Sequence, residues 1–189
     1  MSTEFRFCPA CATPLALIGQ EEDGGFTQRM RCPACGFTHW NNPTPVLAAI
    51  VEMDGQILLA RNAAWPTKMF GLITGFMEAG ETPEEGIARE VKEETNLDAV
   101  SCSLVGAYEF IRMNQVIIAY HVVAEGQVRL SPELVDYRLF DLHELKCWPA
   151  GTGYALADWL RTRGHEPVFF TAEENAERRR GLDQPPAKD

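Results

Sequence analysis

Residues 75–97 read GFMEAGETPEEGIAREVKEETNL, and this stretch decides how the rest of the chain is interpreted. Glutamates recur along its whole length, and Asn96 stands near its end, where a helix would close. Like charges at helical spacing cost free energy unless a cation relieves them. The stretch therefore raises the question of what its carboxylates bind.

The segment TPEE at 82–85 predicts the start of a helix. Thr82 is suited to the N-cap position, Pro83 to the first helical position, and Glu85 to closing a capping box with Thr82. Ile87 and Val91 then lie four residues apart and form an apolar stripe. We expect this stripe to pack against a sheet.

Glu90, Glu93 and Glu94 are three and four residues apart, so their side chains should gather on one face of that helix. A solvated face balanced by Arg89 and Lys92 is the ordinary explanation of such a cluster. Carboxylates are also good ligands for hard divalent cations. The glycine-bearing segment before the helix, which would let backbone groups approach a ligand, favours the second interpretation.

This segment resembles the Nudix box, G-x5-E-x7-R-E-U-x-E-E-x-G-U, in which U is aliphatic. The matching residues are Gly75, Glu81, Arg89, Glu90, Val91, Glu93, Glu94 and Leu97. The box glycine is replaced by Asn96. That position requires a left-handed backbone, which asparagine tolerates better than other residues with a side chain, so Asn96 is expected to serve as a C-cap.

The resemblance implies a site for Mg²⁺ or Mn²⁺ held by three carboxylates, those of Glu90, Glu93 and Glu94. One of these, or a glutamate outside the box, would take the proton from water. Arg89 and Glu81 would pair to fix the loop on the helix, and the carbonyl of Thr74 would be a further ligand. Glu133 is a candidate for the outside carboxylate, although a surface glutamate at a turn is the simpler interpretation.

Four of the six cysteines follow the pattern C-x2-C-x20-C-x2-C and predict a structural zinc site. They are Cys8, Cys11, Cys32 and Cys35. Two such pairs supply the tetrahedral sulfur set that zinc prefers. Two disulfides or a redox dithiol are the alternatives, and His39 could replace one cysteine as a ligand.

The order of elements predicts an α/β (α+β) fold, which by the resemblance is a Nudix-type α/β/α sandwich preceded by a zinc ribbon. The stretch NNPTP at 41–45 predicts a boundary, with a ribbon at 1–42, a Nudix domain at 43–165 and a tail at 166–189. Asp54 and Gly55 predict a hairpin turn, and residues 153–164 a second helix. The arginines at 178–180 are expected to face solvent.

Residues 8–160 resemble the zinc-ribbon subgroup of Nudix enzymes, which includes pyrophosphatases for NADH, FAD and ADP-ribose. The resemblance implies metal-dependent cleavage of the diphosphate in a nucleotide substrate, with release of AMP where adenosine diphosphate is present. NADH-cleaving members carry S-Q-P-W-P-F-P-x-S, whereas this chain has YEFIRMNQV at 108–116. The sequence therefore favours FAD and ADP-ribose over NADH as substrates.

Net charge and the N-terminal sequence bear on the expected binding partners and on localisation. The formal net charge of −10 disfavours binding of nucleic acid through a basic patch. The N-terminal residues lack the features of an export signal, and no apolar run is long enough for a membrane span, so the chain is expected to be cytoplasmic. A homodimer, as in relatives, is a further expectation.

Two other functions stay open. A non-catalytic Nudix module could sense a nucleotide while its ribbon contacts a partner. Hydrolysis of the cap on NAD-capped RNA would require a basic channel, which the sequence does not indicate.

Overall fold

The computed structural model describes residues 5–180. The chain divides between Asn42 and Pro43 into two compact units, Met1–Asn42 and Pro43–Asp189. The first unit contains a three-stranded antiparallel sheet in the order β1-β2-β3. Its strands are β1 (Ala16–Glu22), β2 (Gly25–Arg31) and β3 (Thr38–His39). Its apolar interior is small and is made of Cys8, Leu15 and Cys32 with Met30 and Phe37 packed against them.

The second unit is built on a six-stranded mixed sheet. Its strands are β4 (Thr44–Met53), β5 (Gln56–Asn62), β6 (Ile73–Phe76), β7 (Asp98–Phe110), β8 (Gln115–Glu125) and β9 (Leu134–Phe140). The order is β7-β8-β4-β5-β9, and β6 also pairs with β4. Strands β4 and β8 run parallel, and the other pairs are antiparallel.

Strand β4 is the centre of the sheet because it is apolar on both faces. Leu47, Ala49 and Val51 point to one core, whereas Ala48 and Ile50 point to cores on the other face. Buried central strands carry such continuous apolar runs. The hairpin turn predicted at Asp54 and Gly55 is confirmed, since both residues have positive φ, of 52° and 79°.

One helix covers each face of this sheet. Helix α1 (Pro83–Thr95) buries its apolar stripe in the core that contains Leu47 and Val51. Helix α2 (Thr152–Thr162) buries Leu156 and Leu160 against the opposite face. The predicted α/β/α sandwich is thereby confirmed. Within residues 5–180, no helix has the length and apolar character needed to cross a membrane.

The described part of the segment expected to form a tail, residues 166–180, contains a short strand and a helix. Strand β10 (Lys146–Cys147) pairs in parallel with β11 (Val168–Phe169), and helix α3 (Ala172–Arg178) follows. Arg178 is buried and does not face solvent as expected, because its guanidinium donates a hydrogen bond to the carbonyl oxygen of Phe70 at 2.8 Å. Residues 166–180 therefore belong to the folded unit, and the rest of the expected tail lies outside the described residues.

Candidate active site

Helix α1 begins where the sequence predicts, and its first turn is fixed by reciprocal hydrogen bonds. The Thr82 hydroxyl accepts from the Glu85 amide at 3.2 Å, and the Glu85 carboxylate accepts from the Thr82 amide at 2.8 Å. Gly86 allows the helix to lie close to the sheet, since a Cβ there would come within 2.5 Å of the Leu47 side chain. The carboxylates of the next turns are thus held on a fixed backbone.

Arg89 joins the loop before the helix to the helix itself. Its Nε and Nη2 donate to the Glu81 carboxylate at 3.0 and 2.9 Å, and Nη2 also donates to the carbonyl of Phe76 at 3.2 Å. Glu81 in addition accepts from the amide of Glu78 at 2.7 Å. The hydrogen bond from Arg89, followed by that from the Glu78 amide, lowers the pKa of Glu81 to about 2. The carboxylates of Glu81 and then Glu90 raise the pKa of Arg89.

Glu90 lies against the strand that precedes the loop. It accepts from Nη1 of Arg89 at 2.8 Å, and its side chain is only 12% exposed. A Cβ on Gly75 would lie 1.8 Å from the Glu90 carboxyl carbon, so glycine leaves the space that Glu90 fills. Glu93 accepts from the same Arg89 nitrogen at 3.1 Å but is 59% exposed.

Glu94 has a different environment from its neighbours. It is partly buried, and its pKa is raised to about 7 by burial first and then by the negative charges of Glu90, Glu133 and Glu93. Among residues 5–180, no cationic side chain forms an ion pair with the Glu94 carboxylate. A buried carboxylate among like charges is stabilised by a cation, which is the condition that a divalent ion would meet.

Glu133 is exposed, as the simpler interpretation of the sequence predicted. It lies just before β9, close enough for its charge to act on Glu94. The amide of Ser131 donates to the carbonyl of Glu94 at 3.0 Å, and the amide of Ala63 donates to the carbonyl of Glu133 at 2.8 Å. No local pattern could reveal this, because the two glutamates are far apart in the chain and only the fold brings them together.

The candidate carboxylates do not form a closed ligand set in the structure. Within residues 5–180, the only group of three or more possible ligands whose donor atoms all lie within 4.8 Å of one another is the cysteine cluster. Glu90 and Glu93 instead both accept hydrogen bonds from Nη1 of Arg89. The residues still fit Mg²⁺ or Mn²⁺, because they supply carboxylate oxygens and Glu94 forms no ion pair within the described part of the chain.

The four cysteines meet at one point in the first unit. Sγ–Sγ distances are 3.5 Å for Cys8–Cys35, 3.5 Å for Cys11–Cys32 and 3.6 Å for Cys11–Cys35. These are too long for disulfides and are near the separation of about 3.8 Å that tetrahedral zinc with Zn–S bonds of about 2.3 Å implies. The cluster has the arrangement of a zinc ribbon. His39 is not part of it and stacks on Phe5 at 4.4 Å.

Residues 42–160 match the family model described as the NUDIX domain, and this match covers more than half of the chain. The chain belongs to the Nudix hydrolase family. Its Nudix domain carries the box with Asn96 in a left-handed conformation, φ 64° and ψ 5°, as expected for that position.

Two curated relatives of this Nudix chain are both named NAD-capped RNA hydrolase NudC. The protein of Vibrio atlanticus (strain LGP32) is 33% identical over 156 residues, which are 80% of this chain and 55% of the relative. That of Pseudomonas putida (strain W619) is 30% identical over 154 residues, 80% of this chain and 54% of the relative. The chain thus spans about half the length of the curated relatives it matches.

Solved structures give the same fold. A NUDIX hydrolase from Nitrosomonas europaea superposes with a TM-score of 0.70 at 27% identity, over 87% of this chain and 96% of that chain. An ADP-ribose pyrophosphatase from Streptococcus suis 89-1591 has a TM-score of 0.53 at 20% identity, over 69% of this chain and 100% of that chain. The second likeness concerns the fold alone.

Proposed function

We propose that this Nudix protein hydrolyses the diphosphate of a dinucleotide or nucleoside-diphosphate derivative with the help of a divalent cation. The observation that carries the proposal is Glu94, a partly buried carboxylate near the charges of Glu90, Glu93 and Glu133 that has no cationic partner among the described residues. An acidic site of this kind repels an anionic substrate unless metal ions lie between them. A cation held here would therefore be required before a diphosphate could bind.

Three box glutamates would hold the cation, namely Glu90, Glu93 and Glu94. Glu133 is a further candidate ligand. The carbonyl of Thr74, which lies on β6 beside the helix, is another. When bound, the cation would offset the charge of the diphosphate and polarise a phosphorus atom. Arg89 and Glu81 would not touch the substrate but would keep the loop and the helix in register through their hydrogen bonds.

The reaction adds one water across the phosphoanhydride. The water oxygen forms a bond to one phosphorus, the bond from that phosphorus to the bridging oxygen breaks, and two phosphate monoesters result. A carboxylate oxygen of a box glutamate or of Glu133 would accept the proton that the water loses. An adenosine diphosphate derivative would release AMP.

The substrate proposal is a class of molecules that includes FAD, ADP-ribose and NADH. The sequence at 108–116 favours the first two. The names of the NudC relatives add NAD-capped RNA as a candidate, although the chain spans about half their length. The expectation that nucleic acid is not a partner stays a prediction.

A panel assay tests the proposal. Wild-type protein with Mg²⁺ would be incubated with FAD, ADP-ribose, NADH, NAD, diadenosine polyphosphates, nucleoside triphosphates and a short NAD-capped RNA, and the products separated by chromatography. We expect AMP from at least one dinucleotide, and a 5′-monophosphate RNA if the cap is cleaved. No product from any of them, with protein folded and metal bound, would favour the non-catalytic sensor.

Substitutions of the box glutamates test which residues carry the activity. Glu93→Gln and Glu94→Gln should each lower kcat on the order of 100-fold or more without changing the fold. Glu84→Gln is the matched control, because Glu84 is exposed on the first turn of the same helix, which places it away from the cluster. A Glu93→Gln/Glu94→Gln double variant with ordinary activity and metal dependence would refute the site assignment.

We also propose that the chain consists of a zinc ribbon at 1–42 followed by a Nudix domain. The two compact units and the family match at 42–160 support this division. The cysteine cluster would hold zinc in a structural role, because four protein thiolates leave no open position on a tetrahedral ion.

A further inference from the structure

Asn96 differs from the glycine of the box by having a side chain, and both polar atoms of that side chain are used. Its Nδ2 donates to the carbonyl of Gln127 at 2.9 Å, and its Oδ1 accepts from Nη2 of Arg129 at 2.9 Å. A glycine would provide the same left-handed backbone but neither hydrogen bond. The side chain therefore does something that the C-cap position alone does not require.

The segment that Asn96 holds is the one that leads to Glu133. The amide of Arg129 donates to the carbonyl of Thr95 at 2.9 Å, and the amide of Ser131 donates to that of Glu94 at 3.0 Å. Carbonyls in the last turn of a helix have no partner within the helix. The backbone of this segment thus lies along the end of α1, and Asn96 adds two side-chain bonds to it.

This attachment matters because Glu133 is placed beside a like charge. Glu94 and Glu133 are both carboxylates, and the backbone bond from Ser131 to the Glu94 carbonyl brings their chain segments together, so their like charges repel each other in the absence of a cation. Repulsion would move the more mobile of the two away from the helix. Bonds between the helix end and residues 127–131 oppose that movement.

We infer that Asn96 is a positioning residue that holds the segment 127–133 so that Glu133 completes the cation site with Glu94. The inference rests on the proposed function, since it concerns the same site. It assigns to the departure from the box a role that a glycine cannot perform. Arg129 is the second member of this attachment.

The test compares wild type with Asn96→Gly, which keeps the left-handed backbone and removes both side-chain hydrogen bonds. Mn²⁺ binding would be measured by calorimetry without substrate, and hydrogen exchange followed at residues 127–133. We expect Mn²⁺ affinity to fall about 10-fold, as for other residues that orient metal ligands, and exchange in this segment to accelerate. Asn114→Gly is the matched control, because Asn114 is also left-handed, with φ 52°, at the turn between β7 and β8.

A double-mutant cycle with Glu133→Gln separates positioning from a simple effect on stability. If Asn96 acts through Glu133, Asn96→Gly should weaken Mn²⁺ binding little further once Glu133 is replaced. Equal losses in both backgrounds, or a lower melting temperature with unchanged Mn²⁺ affinity and unchanged exchange at 127–133, would overturn the inference. These readouts need no turnover, so they are distinct from a negative panel assay, which would count against the proposed hydrolysis only.

Arg129→Met provides a second variant if Asn96→Gly does not fold. It removes the hydrogen bond to Asn96 Oδ1 and leaves the helix end intact, and the exposed position of Arg129 tolerates the change. We expect the same direction of change in Mn²⁺ affinity and exchange, with a smaller amplitude. An Arg129→Met protein with wild-type affinity and exchange would likewise overturn the inference.

Discussion

Two glutamates of the same short segment have opposite electrostatic environments. Glu81 accepts hydrogen bonds from Arg89 and from the amide of Glu78, and its pKa is lowered to about 2. Glu94 is partly buried among carboxylates, and its pKa is raised to about 7. The first holds the loop on the helix, and the second is a proposed ligand of the cation. One glutamate-rich stretch therefore contains carboxylates in two different environments.

Glu81→Gln should change the acid stability of the protein. Because the pKa of Glu81 in the fold is below its ordinary value of 4.5, its pair with Arg89 stabilises the protein fully above about pH 4.5 and loses this effect as pH falls toward 2. We expect the variant to melt at a lower temperature at pH 7, and the difference from wild type to shrink between pH 4.5 and 2. Calorimetric melting at a series of pH values measures both.

Glu78→Gln is the control for that experiment, since it removes an exposed carboxylate from the same loop and leaves the pair with Arg89 in place. A difference between wild type and Glu81→Gln that stays constant from pH 7 to 2 would contradict the assignment. So would an equal effect of the Glu78 substitution.

At the scale of elements, helix α3 contacts residues around the core of α2 through Arg178. The guanidinium of Arg178 lies over the rings of Trp148 and Phe170, at 5.3 and 4.5 Å from their centroids, and bonds to the carbonyl of Phe70. Phe70 leads directly to the segment that enters β6. A helix far from the box in sequence thus supports the strand on which the site is built.

Arg178→Met should destabilise the second unit by about 1–3 kcal/mol, because it leaves a buried carbonyl oxygen of Phe70 without its donor. Chemical denaturation would measure the change. Arg179→Met is the matched control, since Arg179 is exposed on the next position and should change stability by less than about 0.5 kcal/mol. Equal effects of the two substitutions would mean that the Phe70 contact contributes nothing.

At the scale of the whole molecule, the two units differ in what stabilises them. The unit Pro43–Asp189 has large apolar cores on both faces of its sheet, whereas the described residues of Met1–Asn42 include three buried apolar side chains, two of which are cysteines. A domain of this size rarely folds on such a core alone. A zinc ion at the cysteine cluster would supply the missing stability.

We therefore expect about one zinc per chain in protein purified without added metal. A strong chelator should unfold residues of the first unit while the second unit keeps its melting transition. Cys8→Ser should abolish zinc retention, and Cys102→Ser, outside the cluster, should not. Metal analysis together with thiol titration measures whether the cysteines hold zinc. A folded protein that contains no zinc and whose thiols all react would refute the zinc ribbon.

The homodimer that the resemblance implies is also a property of the whole molecule. Light scattering of the purified chain would measure its mass in solution. A monomeric mass would contradict the expectation, and it would leave the site within one chain unchanged.

The sequence alone determined the features that depend on residues close together in the chain. The capping box of α1, the left-handed Asn96, the hairpin at Asp54 and the spacing of the cysteine pairs are local, because a few neighbouring dihedral angles and side chains decide them.

Only the tertiary structure decided which distant residues surround those local features. Glu133 lies beside Glu94, and Arg178 reaches Phe70, through contacts across tens of residues that depend on how strands and helices pack. The burial that raises the pKa of Glu94 also depends on this packing of strands and helices. The sequence thus determined the local backbone and the candidate ligands, whereas packing determined their partners, since charge and burial are set by the neighbours that the fold supplies.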